Sequence, residues 1–146
     1  NKKMNYSPSL LWGLAIWSII HMSGAGIYIN GNKLYDTMIL SIIGGPYHIF
    51  KYDQFAHIFG FAVATLLMYF LIKPNLRKNF GWSSVLVVVI MAGLGAGALN
   101  EIIEFTTTLI LSDTGVGGYE NTALDLVSNA IGSIAAGFYI FINEKS

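Results

Sequence analysis

The 146-residue chain is 54% hydrophobic and 11% charged, with eight acidic residues balanced by eight basic ones. A soluble domain carries roughly 25% charged residues, so the deficit points to a membrane, and the balanced charge gives no support to a nucleic-acid partner. The absence of cysteine excludes a disulfide framework, a thiolate nucleophile and a Cys-ligated metal.

The start of the chain, Asn1-Lys2-Lys3 before an apolar stretch at 10–20, has the basic head and apolar middle of a signal peptide. The later apolar runs favour a retained span instead, over about residues 9–29. Pro8 opens it at a position that a helix start tolerates, and it carries Trp12 and Trp17. His21 falls in its later half beside Gly24 and Gly26, glycines that permit a bend, a close helix contact or an early stop. Asn30-Gly31-Asn32-Lys33 reads as a turn. Residues 34–50 hold a brief apolar run cut by Gly44-Gly45-Pro46, too short to span. They read as a short interfacial or re-entrant helix, with a distorted fifth span as the alternative.

The next span covers about residues 52–72 and opens with Asp53-Gln54-Phe55-Ala56-His57. Gly60, Ala64 and Leu67 follow His57 at helical spacing, a smooth face for packing. Lys73, Arg77 and Lys78 crowd the connection that follows. A long span over about residues 83–111 contains the small-residue run 92–98, which suits a helix at the bundle centre. Near its end Glu101 and Glu104, three residues apart, share one face. Ionisable groups there cost roughly 2.5–3.5 kcal/mol each at mid-membrane and less toward the edge, so a partner is expected. After a glycine-rich, acidic loop, a last span over about residues 123–142 begins with Asp125 and Asn129 on one face.

The result is an all-α fold: a polytopic transmembrane helical bundle of about four spans plus the short interfacial or re-entrant helix, one domain over residues 1–146. Lys2, Lys3, Lys73, Arg77, Lys78 and Lys145 fall on one side of it, with Lys33 and Lys51 on the other. The positive-inside rule makes the richer side, with both termini and the 73–81 connection, cytoplasmic in a multi-pass cell-membrane protein.

Consecutive spans alternate direction. One begins, the next ends and the last begins on the same side, which sets Asp53, His57, Glu101, Glu104, Asp125 and Asn129 at one depth. His21 reaches the same leaflet. A polar pocket in the outer half of the bundle is therefore expected from His57, Glu101, Glu104, Asp125 and Asn129, with Asp53 and His21 in support. Three uses suit it. A divalent metal ion could be held by His57, Glu101 and Asp125; carboxylates of unlike environment could do acid–base work; or a hydrogen-bonded knot could cement the helices. Plainer readings stand beside these. Asp53 and Asp125 can be caps of their spans, Glu104 a helix-end residue at the headgroups, His57 a histidine bonded to Asp53 or a neighbouring carboxylate, and Asn129 an interhelical donor. His21 can be a packed residue, His48 an interfacial one, and Asp36 and Asp113 turn or cap residues.

Asp53-xxx-His57 with Gly60, Glu101-xx-Glu104, and Asp125-xxx-Asn129-xx-Gly132, in this order on successive spans, resemble the VanZ-like membrane family and its YjdF-like relatives. The resemblance runs from about Asp53 to Gly137. It implies a small helical membrane protein of the cell envelope, in a family whose founding member is associated with resistance to a glycopeptide antibiotic. VanZ-like sequences tend to have Gln at the place of Glu104 and an Arg before the final Asp, where Tyr119-Glu120-Asn121 has none. That departure leaves no fixed cation expected near the cluster and tilts the acidic pair toward a cation or proton role. Three functions follow: binding of a membrane lipid headgroup or lipid-linked envelope component, a membrane-embedded metal-dependent or acid–base lipid hydrolase, and an accessory subunit. A homo-oligomer or a larger membrane complex is compatible with each.

Overall fold

The computed structural model describes residues 6–41, 49–77, 79–111 and 116–145. Helix α1 spans Pro8–Gly26, with Pro8 in its first turn and the Ser7 hydroxyl accepting the Leu10 N–H at 3.3 Å. It stops short of the expected boundary because Ile27 turns extended and leads into a hairpin, β1 (Tyr28–Ile29) and β2 (Asn32–Lys33). Asn30 and Gly31 join the strands at φ of 53° and 85°, the left-handed pair that a two-residue Asn-Gly turn supplies.

The segment expected to form a short interfacial or re-entrant helix contributes one 3₁₀ turn, Leu34–Asp36, then extended chain in which Met38 pairs with Lys51. Its glycine–proline break and His48 lie outside the described residues, as does Asp113. Asp36 sits in the 3₁₀ turn, 3.9 Å from Lys51 Nζ.

Helix α2 spans Tyr52–Ile72, and a 3₁₀ turn with Pro74 follows it. Its N-cap position is Lys51, whose N–H donates to Gln54 Oε1 at 2.6 Å. Asp53 is therefore not the cap, and its carboxylate is free to face a neighbouring helix. Helix α3 spans Trp82–Ile110 and α4 spans Tyr119–Glu144. Because α4 begins about a turn earlier than hydropathy indicates, Asp125 lies inside the helix and does not cap it.

All four helices are long and apolar enough to cross a bilayer: 19 residues for α1, 24 for α2 with its 3₁₀ turn, 29 for α3 and 26 for α4. At about 1.5 Å per residue each approaches or exceeds a hydrocarbon core of about 30 Å. Their outer faces carry Trp12, Ile19, Met22, Val87, Phe105 and Phe138, all exposed. In water this would be an aggregating surface; in lipid it is the solvated one.

Helix α2 is the centre of the bundle, touching α1, α3 and α4 and packing most extensively on α4. The small-residue helix α3, expected at the centre, instead lies on α4 and α2 along a single ridge. Its buried residues are Val85, Val89, Gly93, Gly97 and Glu101, each one turn beyond the last. Small side chains serve there to bring α3 close, since a Cβ on Gly97 would stand 2.7 Å from Asn129 Nδ2. The α2–α4 contact is closer still. A Cβ on Gly132 would strike the Ile58 carbonyl oxygen, so the two backbones meet directly.

One end of the bundle is apolar. Tyr69, Val85, Val89 and Ile140 form its core, with Leu66, Phe80 and Trp82 against it and a Lys73–Glu144 ion pair of 2.7 Å at its edge. The other end holds the polar side chains.

Candidate functional site

The first turns of α2, the last third of α3 and the first turns of α4 meet at that other end, as antiparallel order requires. The buried side chains there include ionisable and polar ones: His57 at 6% exposure, Glu101 at 7%, and Asp125 and Asn129 at 0%, with Gln54 and Ser128 buried beside them. Glu104 and Asp53 are half-buried at its margin. The expected pocket residues of α2, α3 and α4 are thus gathered into one cluster.

His57 is its hub. Nδ1 lies 2.9 Å from Asn129 Oδ1, a hydrogen bond between α2 and α4. The same nitrogen is 3.7 Å from Glu101 Oε1, and Nε2 is 3.6 Å from Asp53 Oδ1. Both separations exceed hydrogen-bond length. Phe61, one turn along α2, stacks on the imidazole and fixes its plane.

Amides hold three of the four carboxylates. Asn121 Nδ2 donates to Asp125 Oδ2 at 2.6 Å and to Asp53 Oδ2 at 3.1 Å, and Gln54 Nε2 donates to Asp125 Oδ1 at 3.3 Å. Asn100 Nδ2 donates to Glu104 Oε1 at 2.7 Å. Among the described residues none hydrogen-bonds the buried Glu101 Oε1. Amides satisfy lone pairs but bring no charge. Among the described residues no Lys or Arg pairs with Asp53, Glu101, Glu104 or Asp125. With no direct ion pair to a lysine or arginine, a proton or a bound cation would balance this charge at contact distance.

Two sets of three ionisable residues bring ligand atoms within 4.8 Å of one another: Asp53, His57 and Asp125, and His57, Glu101 and Glu104. The expected metal set of His57, Glu101 and Asp125 is split between them. Asp125 turns toward α2 and its own helix, while Glu101 approaches His57 from α3.

Beside the cluster opens a cleft of about 530 Å³ whose lining includes Asp53, Glu104, Glu120, Asn121, Lys33 and Lys51. The two lysines correct the expectation that no cation stands near. They arrive on β2 and at the α2 start, and in the sequence they read only as charges that help to fix orientation. His21 also lines the cleft, but on its α1 side. It is exposed and bonded to the Tyr35 hydroxyl at 2.7 Å, so it joins the cleft wall and not the carboxylate cluster. Burial, followed by the nearby Asp53 and Glu104 carboxylates, pushes the Tyr35 hydroxyl well above the usual tyrosine range, keeping it protonated. Tyr52 ties α2 to α1 through Ser23 Oγ at 2.9 Å.

The amides Gln54, Asn100 and Asn121 are the residues that sequence reading missed. Their signal was faint but present: Asn100 precedes Glu104, and Asn121 precedes Asp125, by one helical turn.

A family described as "Predicted membrane protein (DUF2238)" matches residues 1–146. The chain belongs to this family. Membership agrees with the four candidate spans and carries no assigned activity. An uncharacterized protein of Thermotoga maritima is 38% identical over 88 residues, which is 58% of this chain and 44% of that protein. The chain therefore spans less than half the length of that relative. No solved structure matches.

Proposed function

We propose that this DUF2238 protein is VanZ-like in role as well as in motif order, and that its cleft binds the polar headgroup of a membrane lipid or a lipid-linked envelope component. The observation that supports this most is the lining of the cleft by charges of both signs, Lys33 and Lys51 against Asp53, Glu104 and Glu120, with Ala25, Leu111 and Leu124 beside them. A phosphate can take the lysines, an amine or sugar the acids and Asn121, and the acyl part the apolar rim. The cleft lies at the opposite end of the bundle from Lys73 and Arg77. By the positive-inside rule it faces the extracytoplasmic side of the cell membrane.

Native mass spectrometry of the protein released from nanodiscs of native lipid extract tests this. Wild-type protein should retain a lipid species enriched over the bulk composition. The Lys33→Ala/Lys51→Ala double variant should lose at least about tenfold of that enrichment, the scale of one charge-assisted contact, while Lys73→Ala should keep it. Retention of bulk composition alone by the wild type rejects the reading. Cleavage of the retained lipid would move the protein to the hydrolase class.

A further inference from the structure

We propose that His57, Glu101 and Glu104 bind a divalent transition-metal cation, of the zinc or manganese class, at the edge of the cleft. This goes beyond the headgroup reading and does not depend on it.

The site is built around an atom that no described residue hydrogen-bonds. Glu101 is 7% exposed, sits on the inward ridge of α3 and aims Oε1 at His57 without a hydrogen bond from any described residue. A tetrahedral site with bonds of about 2.0–2.2 Å separates its donors by roughly 3.3–3.6 Å. The Glu101 Oε1 to His57 Nδ1 distance of 3.7 Å is close to that spacing and too long for the two atoms to bond each other. Glu104, one turn beyond Glu101 on the same face, completes the set within 4.8 Å. Because Glu104 also lines the cleft, an ion has a way in.

The surroundings are those that a metal-bound histidine and carboxylate need. With Nδ1 on the metal, the imidazole proton sits on Nε2 and faces Asp53 Oδ1 at 3.6 Å, a carboxylate behind the ligand. Asn100 grips Glu104 Oε1 and orients that carboxylate. Asn129 Oδ1, 2.9 Å from Nδ1, accepts the Nδ1 proton when the metal is absent and can act as a neutral oxygen ligand when it is present. Two carboxylates and a neutral imidazole match a doubly charged ion. Mixed oxygen and imidazole donors favour zinc, manganese or ferrous iron over the softer thiolate-seeking metals. The other set, Asp53, His57 and Asp125, has an amide on each of its carboxylates and, among the described residues, no fully buried oxygen without a hydrogen bond.

The test uses the full chain in detergent, stripped with chelator and titrated with zinc and then with manganese, each alone. Calorimetry should show one ion per chain, with the imidazole staying neutral as its hydrogen passes from Nδ1 to Nε2. Glu101→Gln and Glu104→Gln, which keep side-chain shape, should each weaken binding at least about tenfold while helix content and elution volume stay unchanged. Asp125→Asn should bind within about threefold of wild type. The proposal is overturned if the stripped wild type takes up neither metal stoichiometrically. It is equally overturned if Glu101→Gln binds as wild type does while Asp125→Asn does not. Lipid retention measured on the same stripped samples is scored separately, so a failed metal site leaves the headgroup reading standing, and the reverse.

Discussion

Glu101 Oε1 and His57 Nδ1 face each other across the α2–α3 contact at 3.7 Å, and neither hydrogen-bonds the other. His57 has Asn129 to bond, whereas that oxygen of Glu101 has no hydrogen-bond partner among the described residues. Leaving a buried polar atom unmatched costs about 1–3 kcal/mol, and more when it is charged.

Glu101→Gln therefore stabilises the chelator-treated protein. A gain of about 1 kcal/mol, or roughly 2–4 °C in the unfolding midpoint for a chain of this size, is expected in detergent. With saturating zinc the sign reverses, because the wild type then gains binding energy that the variant cannot. A midpoint lowered by several degrees in the stripped variant would show that the carboxylate is satisfied after all.

Gly132→Ala tests the helix contact on which the cluster rests. The added methyl meets the Ile58 carbonyl, so α4 must move off α2, at about 1–3 kcal/mol. Gly95→Ala is the control: its Cβ meets nothing within 4 Å, and exchange of a helical glycine for alanine stabilises by up to about 1 kcal/mol. Opposite shifts in the thermal midpoint are expected. Equal shifts would mean that α2 and α4 do not touch at Gly132.

Much of this architecture is legible in the sequence because lipid imposes a simple rule: uncharged runs long enough to span become helices. The bounds of α2 follow directly from it. Those of α4 do not, since its first turn, Tyr119-Glu120-Asn121-Thr122, is too polar to register as part of an apolar run. Ile27 and Ile29 show the converse. They are apolar and still leave the helix, because Asn30-Gly31 demands a hairpin. The carboxylates of the site stand out because acids in a span are expensive. Gln54, Asn100 and Asn121 do not, since amides are ordinary at helix ends and only the fold shows which carboxylate each one grips. Lys33 and Lys51 lie far apart in the chain, and no periodicity reveals that both line one cleft.

Orientation can be read with single cysteines, because the chain has none of its own. Tyr119→Cys, at a position 90% exposed beside the cleft end, should react with a membrane-impermeant maleimide in intact cells. Arg77→Cys, at the apolar end, should react only after the membrane is opened. The reverse pattern would turn the cleft toward the cytoplasm and remove the extracytoplasmic headgroup from consideration.

The most direct measurement is a double-mutant cycle on His57 and Asn129, the buried pair that joins α2 to α4 at 2.9 Å. His57→Ala, Asn129→Ala and the double variant are compared with wild type by unfolding free energy in detergent. Convergence of the polar groups predicts a coupling energy of about 0.5–3 kcal/mol, the range for residues in one hydrogen-bonded network. Additive effects, within about 0.3–0.5 kcal/mol, would mean that the two side chains do not meet and that the cluster does not form.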